Sequence, residues 1–244
     1  ETERLSHVLL YITPSHQFPM GSVLPITKRL ALLQWAATSN SYILEDDYDS
    51  ELRYHSLPIP SLQSIDNNER TIYMGTFSKS LSPDLRIAYL VLPRPLLGIY
   101  RTVFSHANCS VSSLLQYALA QFFHSGEYQR HINAMRTHCQ KKHDYILNFF
   151  KENLTEQASL SGSDAGLHFI LTLQKGFENN DPIKEFAENK VKIYPVSPFW
   201  ANQGDCPVNQ FLLGYGSISV MELPLAMAAI KGTVIHQNMK LNIM

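Results

Sequence analysis

Short apolar runs alternate with an amphipathic segment over the first third of the chain. Four runs have the length of buried strands, namely "VLLYITP" (8–14), "SYILEDD" (41–47), "TIYMGTF" (71–77) and "RIAYLVLP" (86–93). Between the first two, "PITKRLALLQWAATSN" (25–40) repeats apolar residues at helical spacing and opens with a proline, which suits a first helical turn. Buried strands separated by helices predict a mostly parallel sheet that is covered on both faces.

From about Pro93 the pattern becomes helical, and residues 127–154 form the longest predicted helix. Strand-like and helix-like pieces then alternate, with Ser219 and Glu222 spaced as a capping box before the last helix. We therefore expect three regions, which are an α/β region (1–110), a helical connection (111–154) and a small α+β domain (155–244).

Composition excludes several classes of protein. The 244 residues carry a formal net charge of −1, which argues against a nucleic-acid-binding surface spread over this chain. The three cysteines are widely spaced and odd in number, so they fit neither a disulfide framework nor a metal site. No apolar run reaches the length of a membrane span. We expect a protein of the cytoplasm without a metal site.

A first polar cluster, "EDDYDSE", ends the second predicted strand. Because alternate side chains of a strand share a face, Asp46 and Tyr48 should point one way, and Asp47 and Asp49 the other. A carboxylate can keep a ring nitrogen protonated, and a phenol can donate to a ring oxygen, so the pair Asp46 and Tyr48 suits a heteroaromatic ring. Taken alone, the cluster also fits acids in an exposed loop.

A second cluster, "GTFSK", ends the third predicted strand, and an arginine follows seven residues later. Thr76 and Ser78 offer hydroxyls, Lys79 offers an amine that can condense with an aldehyde, and Arg86 offers a planar fork for a phosphate. Each could also be an ordinary surface residue. Together with the first cluster, they meet the needs of pyridoxal 5′-phosphate, which has an aldehyde, a phosphate, a pyridine nitrogen and a phenolic oxygen.

Five stretches resemble the aminotransferase-like domain of MocR/GabR-type bacterial regulators of the GntR superfamily. They are "YITPSHQFPMG", "LEDDYDSELRY", "YMGTFSKSLSPDLRIAYLVLP", "SGEYQRHINAMR" and "AGLHFIL". The resemblance implies an α/β fold of the fold-type I pyridoxal-phosphate transferases, with part of the large domain, a mostly parallel sheet and a smaller C-terminal α+β domain. It also implies that a winged helix-turn-helix and the early part of the large domain are absent before Glu1, so that this chain alone holds the cofactor weakly or not at all.

Carried over residue by residue, the resemblance assigns Lys79 as the Schiff-base lysine, Asp46 as the partner of the pyridine nitrogen and Tyr48 as the phenol at the ring oxygen. Arg86 matches the phosphate-binding arginine. Thr76 and Ser78 lie where hydroxyls approach the phosphate or the lysine, and the segment from Thr13 to Gly21 lies near the cofactor. The catalytic residue in this assignment is Lys79.

One departure from the family pattern concerns the ligand. The late family motif Arg-Leu-Gly-Phe reads "LLGY" here, so Leu212 replaces the arginine that holds a substrate carboxylate. Ordinary transamination of α-amino acids is therefore doubtful. The leading interpretation is a domain that senses an amine or amino-acid-like effector, in a regulator that is a homodimer and binds DNA through the absent N-terminal domain. The alternatives are a catalytic class I/II aminotransferase and an interaction domain without cofactor.

Overall fold

The computed structural model describes residues 7–54, 59–174 and 181–241. The predicted regions also include residues 1–6, 55–58, 175–180 and 242–244, which lie outside the described residues. The chain divides into two compact units. The first unit runs to Gln17 and then from Ser22 to Arg136, and the second comprises Phe18–Gly21 and the residues from Thr137 onward. The division between the two units falls within the longest helix.

The first unit contains four strands and four complete helices among the described residues. They follow one another as β1 (Leu9–Ile12), α1 (Ile26–Thr38), β2 (Tyr42–Asp47), α2 (Leu62–Ile65), β3 (Thr71–Thr76), a 3₁₀ turn (Pro83–Leu85), β4 (Ala88–Val91), α3 (Arg94–Val103) and α4 (Ser113–His124). The long helix α5 (Glu127–Asn153) begins in this unit and ends in the second.

The second unit continues with β5 (Ala158–Ser161), β6 (His168–Leu173), α6 (Pro182–Glu188), β7 (Tyr194–Pro195), two 3₁₀ turns (Ser197–Phe199 and Gln203–Asp205), β8 (Gln210–Gly214) and α7 (Leu223–Leu241). Its sheet is antiparallel throughout and has the order β5-β6-β8-β7. The prediction of a smaller α+β region after the long helix agrees with this part of the structure.

The sheet of the first unit has the order β1-β2-β3-β4. Strands β1, β2 and β3 are parallel, and β4 joins antiparallel to β3, so the predicted mostly parallel sheet is confirmed. Strands β2 and β3 are neighbours, with Asp46 opposite Met74 and Asp47 opposite Gly75. The carboxyl ends of these two strands therefore lie side by side.

Helices cover only one face of this sheet in the described residues, whereas the sequence predicted covering on both. Ile43 of β2 packs against Leu33 and Ala36 of α1 and Leu62 of α2. The connections β1-α1-β2 and β2-α2-β3 both place their helix on this face. Right-handed connections that run across a sheet in one direction put their helices on the same side. The opposite face presents side chains that are more than half exposed, which are Leu9 (59 %), Tyr11 (56 %) and Leu90 (53 %).

A buried arginine holds the covered face together. Arg29 of α1 is fully buried and donates hydrogen bonds to the carbonyls of Leu24, Pro60 and Pro14 at 2.8–3.0 Å. Its guanidinium also lies 3.7 Å from the carboxylate of Glu45, which accepts the backbone N–H groups at the start of α2. Because a buried charge must be paired or hydrogen-bonded, this network fixes the loop that follows β1.

The second unit has the larger apolar core. A cluster of 17 buried side chains joins β6 and β8 to α5, α6 and α7, and its centre includes Phe169, Leu171 and Phe211. Phe169 stacks on Tyr215 with ring centroids 4.9 Å apart. The predicted capping box is confirmed, because Ser219 Oγ accepts the N–H of Glu222 and the Glu222 carboxylate accepts the N–H of Ser219. None of the helices in the described residues has both the length and the apolar character of a membrane span.

Candidate functional site

The carboxyl ends of β2 and β3 bring the two predicted polar clusters to one edge of the first sheet. Asp46 lies opposite Met74, and β3 ends two residues later at Thr76. Lys79 lies three positions after Thr76, in the turn that follows β3. The structure therefore places the predicted carboxylate and the predicted amine on adjacent strand ends. Parallel sheets usually bind ligands at this edge.

Asp46 faces the uncovered side of the sheet, where a neighbour from β1 holds it. The hydroxyl of Tyr11 donates a hydrogen bond of 2.5 Å to Asp46 Oδ2. This hydrogen bond, together with burial and the charge of the carboxylate, raises the pKa of Tyr11 to about 12. Tyr11 therefore remains a donor at physiological pH and orients the carboxylate. Sequence reasoning did not identify Tyr11, because its role depends on the pairing of β1 with β2.

Tyr48 is half-buried beside this carboxylate, and its hydroxyl contacts the segment that follows β1. It donates a 2.7 Å hydrogen bond to the backbone carbonyl of His16. Burial raises the pKa of Tyr48, and the carboxylates of Asp49 and Asp46 raise it further. The phenol therefore keeps its proton near neutral pH, and in this structure the hydroxyl donates that proton to the His16 carbonyl.

His16 and Asp49 form a buried pair behind Tyr48. His16 Nδ1 lies 2.7 Å from Asp49 Oδ2, and the two side chains are 0 % and 4 % exposed. Asp47 and Asp49 are buried, whereas Asp46 and Tyr48 are half-buried, so the predicted alternation of faces continues past the end of β2. Sequence reasoning predicted that residues 13–21 lie near the cofactor but identified no single side chain there.

The turn after β3 presents the remaining predicted residues. The Thr76 hydroxyl donates to Ser78 Oγ at 3.1 Å and lies 3.2 Å from the carbonyl of Ile87. Lys79 and Arg86 are exposed. Arg86 adopts a left-handed backbone conformation with φ of 51°. Such a conformation is unfavourable for a residue with a Cβ, and strained residues of this kind cluster at functional sites.

The start of α5 holds this turn in place. His131 Nε2 lies 2.8 Å from the carbonyl of Ser80, the residue after Lys79. One turn earlier, the ring of Tyr128 packs edge-on against Phe77, with centroids 6.2 Å apart. The position of Lys79 therefore depends on contacts made more than fifty residues later in the chain. No local sequence pattern reveals these contacts.

A buried carboxylate supports the site from the covered side of the sheet. Asp47 accepts hydrogen bonds from the hydroxyls of Tyr73 at 2.8 Å and Ser50 at 2.7 Å. Burial raises the pKa of Asp47 despite these two donors. Burial likewise raises the pKa of Glu45 and of Glu51. The carboxyl end of β2 thus combines a half-buried carboxylate, Asp46, with the buried carboxylates of Glu45 and Asp47.

Leu212, at the position of the expected arginine, lies in the second unit. It is buried on β8 in an apolar cluster with Ile170, Val196 and Cys206, against which Trp200 packs. The described residues contain no group of three or more His, Cys, Asp or Glu side chains that could hold a metal ion.

Comparisons with known proteins agree with this fold. The family "Aminotransferase class I and II" matches residues 5–203. The uncharacterized HTH-type transcriptional regulator YhdI of Bacillus subtilis (strain 168) is 42 % identical over 95 % of this chain and 49 % of its own length. The probable rhizopine catabolism regulatory protein MocR of Rhizobium meliloti is 33 % identical over 88 % of this chain and 43 % of its own length. The chain thus spans about half the length of these curated relatives.

Solved structures show the same fold. Kynurenine aminotransferase of Pyrococcus horikoshii superposes with a TM-score of 0.81 and 24 % sequence identity, over 93 % of this chain and 56 % of that one. The α/β fold of the fold-type I aminotransferases, which the sequence resemblance implied, is therefore confirmed.

Proposed function

This chain belongs to the class I and II aminotransferase family, and we propose that it is the effector-sensing, pyridoxal 5′-phosphate-binding domain of a bacterial GntR/MocR-type transcriptional regulator. The observation that carries the proposal is that Asp46 and the turn with Lys79 lie at the carboxyl ends of the neighbouring strands β2 and β3. The names of its relatives as HTH-type regulators support the regulatory part. We place DNA binding in the part of the regulator that this chain does not cover.

The donor set of the site fits the cofactor. In this proposal Lys79 supplies the amine that attaches the cofactor, Asp46 faces the ring nitrogen and Tyr48 faces the ring oxygen. Arg86 holds the phosphate, with hydroxyls from Thr76 and Ser78 nearby. Lys79 and Arg86 have no hydrogen-bond or ion-pair partner within the described residues, so both are available for a ligand.

Each side chain has a distinct physical task. Pyridoxal phosphate supplies an aldehyde that condenses with amines and a ring that stabilises negative charge. Asp46 keeps a proton on a ring nitrogen, because an adjacent carboxylate favours the charged form of a base. The Tyr48 hydroxyl contacts the ring oxygen, and its raised pKa keeps it protonated near neutral pH. The fork of Arg86 matches two phosphate oxygens.

We propose that the effector is an amine without an α-carboxylate. A carboxylate needs a cation or several hydrogen-bond donors when it leaves water. The apolar side chain of Leu212 supplies neither. Matched pairs of amines and their α-amino acids, tested by thermal shift on the cofactor-loaded full-length protein, should show a preference for the amine. Leu212→Arg should reduce or reverse that preference, and equal responses in both proteins would contradict this assignment.

We propose that a second copy of the chain covers helices α3 and α4. These helices expose apolar side chains, including Ile99 (61 %), Val103 (67 %), Leu114 (75 %) and Tyr117 (66 %). No acidic residue occurs between Asp84 and Glu127, so two copies could meet without repulsion between carboxylates. Light scattering should give the mass of a dimer, and Val103→Glu should shift it toward the monomer. An unchanged mass would refute this interface.

Such a regulator acts in the cytoplasm.

The regulatory function can be tested with the full-length protein and its own upstream DNA. We expect the cofactor to produce a saturable visible absorbance, and an active amine to change the affinity for DNA. A ligand shifts such an equilibrium only through different affinities for two states, so Lys79→Arg should abolish the response to the amine while leaving basal DNA binding intact. An affinity for DNA that changes with neither the cofactor nor the amine would refute the proposal.

A catalytic aminotransferase is the second candidate, because the fold and the Lys79, Asp46 and Tyr48 set would also serve transamination. The apolar surroundings of Leu212 weigh against α-amino acid donors. Turnover of an amino donor with a keto acid, measured on the full-length protein, separates the two functions. Sustained turnover without any effect on DNA binding would favour the enzyme.

A further inference from the structure

Two side chains of the proposed cofactor site depend on β1 and the segment that follows it. Tyr11 holds Asp46, and His16 contacts both Tyr48 and Asp49. Of these contacts, the one at His16 is buried, whereas Tyr11 is more than half exposed. The buried contact therefore offers the more rigid support.

His16 binds two consecutive residues that point to opposite faces of the strand end. Its ring contacts the Asp49 side chain at 2.7 Å, and its backbone carbonyl accepts the Tyr48 hydroxyl at 2.7 Å. The Tyr48 oxygen also lies 3.4 Å from His16 Nδ1. The Tyr48 hydroxyl is therefore in contact with both the backbone and the ring of His16.

We propose that His16, held by Asp49, is a positioning residue that sets the place of the Tyr48 hydroxyl beside Asp46 and thereby the affinity for the cofactor. This inference rests on the proposed function, since it concerns the same cofactor site. His16 acts through Tyr48 and is not itself a catalytic residue.

The loop around His16 is anchored independently, so its substitution should act locally. The carbonyl of Pro14 accepts hydrogen bonds from Arg29 at 2.8 Å and from the Leu24 N–H at 2.9 Å. The Gln17 N–H donates to the carbonyl of Ser22 at 2.8 Å. These bonds do not involve the His16 side chain. The loop should therefore keep its path in His16→Ala, and that variant removes the ring whose Nδ1 lies 3.4 Å from the Tyr48 oxygen.

The test is a double-mutant cycle on the affinity of the full-length protein for pyridoxal phosphate. His16→Ala and Tyr48→Phe should each weaken binding about tenfold, the size of one hydrogen bond. If His16 acts through Tyr48, then His16→Ala should add little in the Tyr48→Phe background. His16→Asn keeps an N–H donor for Asp49 and should recover most of the affinity.

A matched control exists in the second unit. His143 is also buried, and its Nδ1 lies 3.0 Å from Asp144 Oδ1. His143→Asn should lower thermal stability but leave the affinity for the cofactor unchanged. If His16→Ala does not fold, Asp49→Ala, without and with Tyr48→Phe, provides the same cycle because it removes the side chain that holds the His16 ring.

The outcomes distinguish the inference from the proposed function. A wild-type protein that fails to bind the cofactor would overturn both. Binding by the wild type that His16→Ala leaves unchanged, or equal losses with and without the Tyr48 hydroxyl, would overturn the positioning role alone. Loss of the His16 effect in the Tyr48→Phe background supports it.

Discussion

The two units of the molecule differ in how their sheets are stabilised. The sheet of the second unit packs against helices through 17 buried apolar side chains. The sheet of the first unit has a buried apolar cluster of four side chains, and it relies on the hydrogen bonds of Arg29 and Glu45 as well. The unit that carries the proposed chemistry is therefore the one with less apolar burial and more polar contacts.

This difference matches the separate demands on the two units. A binding edge needs accessible carboxylates, amines and guanidinium groups, which cannot contribute to an apolar core. Polar contacts such as those of Arg29 and His16 give a fixed geometry where apolar packing is scarce. We therefore expect substitutions of polar side chains to destabilise the first unit, and truncation of apolar side chains to destabilise the second.

The largest effect should come from the buried arginine of the first unit. Arg29→Met removes three hydrogen bonds to carbonyls and leaves Glu45 without its cation, so we expect a loss of about 4 kcal/mol in the free energy of unfolding. Urea unfolding followed by Trp35 fluorescence, in a Trp200→Phe background, reports on this unit. The exposed Arg94 pairs with Glu69 at 3.4 Å, and Arg94→Met should change stability by less than about 0.5 kcal/mol. Equal losses of stability in Arg29→Met and Arg94→Met would contradict the structural role of the buried arginine.

A matched pair of leucines should give the next largest difference. Leu171 of β6 is fully buried, whereas Leu90 of β4 is 53 % exposed. Leu171→Ala should cost about 3 kcal/mol, because it leaves a cavity in the core of the second unit. Leu90→Ala should cost less than about 1 kcal/mol. Fluorescence of Trp200 in a Trp35→Phe background measures the first, and Trp35 measures the second. A large loss at Leu90 would show that the outer face of the sheet is packed.

The smallest effect should appear as opposite dependences on pH. Burial raises the pKa of Asp47 above its usual value of 3.8, so the folded first unit binds protons more tightly than the unfolded chain. Its stability should therefore fall as pH rises above 3.8 toward the raised pKa. Asp47→Asn should flatten this slope, as measured by unfolding monitored at Trp35.

In the second unit, hydrogen bonds from Ser219 lower the pKa of Glu222 below its usual value of 4.5. The folded unit releases this proton more readily than the unfolded chain. The contribution of Glu222 is therefore present above pH 4.5 and lost as pH falls through the lowered pKa. Ser219→Ala should remove this dependence. Slopes of stability against pH that have the same sign in both units would contradict the assignment of Asp47 as a buried acid and Glu222 as an exposed one.

The sequence predicted most elements because their signals are local. The apolar run at 41–47 became β2, and the proline-led helical pattern at 25–40 became α1. The capping box at Ser219 was predicted from two residues three positions apart. The polar strand ends were also predicted, because parallel strands place their carboxyl ends at one edge.

Long-range contacts could not be predicted in the same way. Nothing in the sequence shows that Arg29 reaches Pro14 and Pro60, or that His131 contacts Ser80. Tyr11 and His16 gained their roles only when the order β1-β2 was known. The sequence did not predict that one face of the first sheet is uncovered. A hydrophobic pattern predicts that a strand is buried, but the face on which the connecting helices lie depends on the handedness of the connections.

One measurement tests the central claim most directly. The full-length protein is incubated with pyridoxal phosphate, reduced with borohydride so that a link between amine and aldehyde becomes permanent, and digested for mass spectrometry. The account predicts one modified peptide, labelled at Lys79, which disappears in Lys79→Arg and is much less abundant in Asp46→Ala. A label on another lysine, or no saturable label at all, would contradict it.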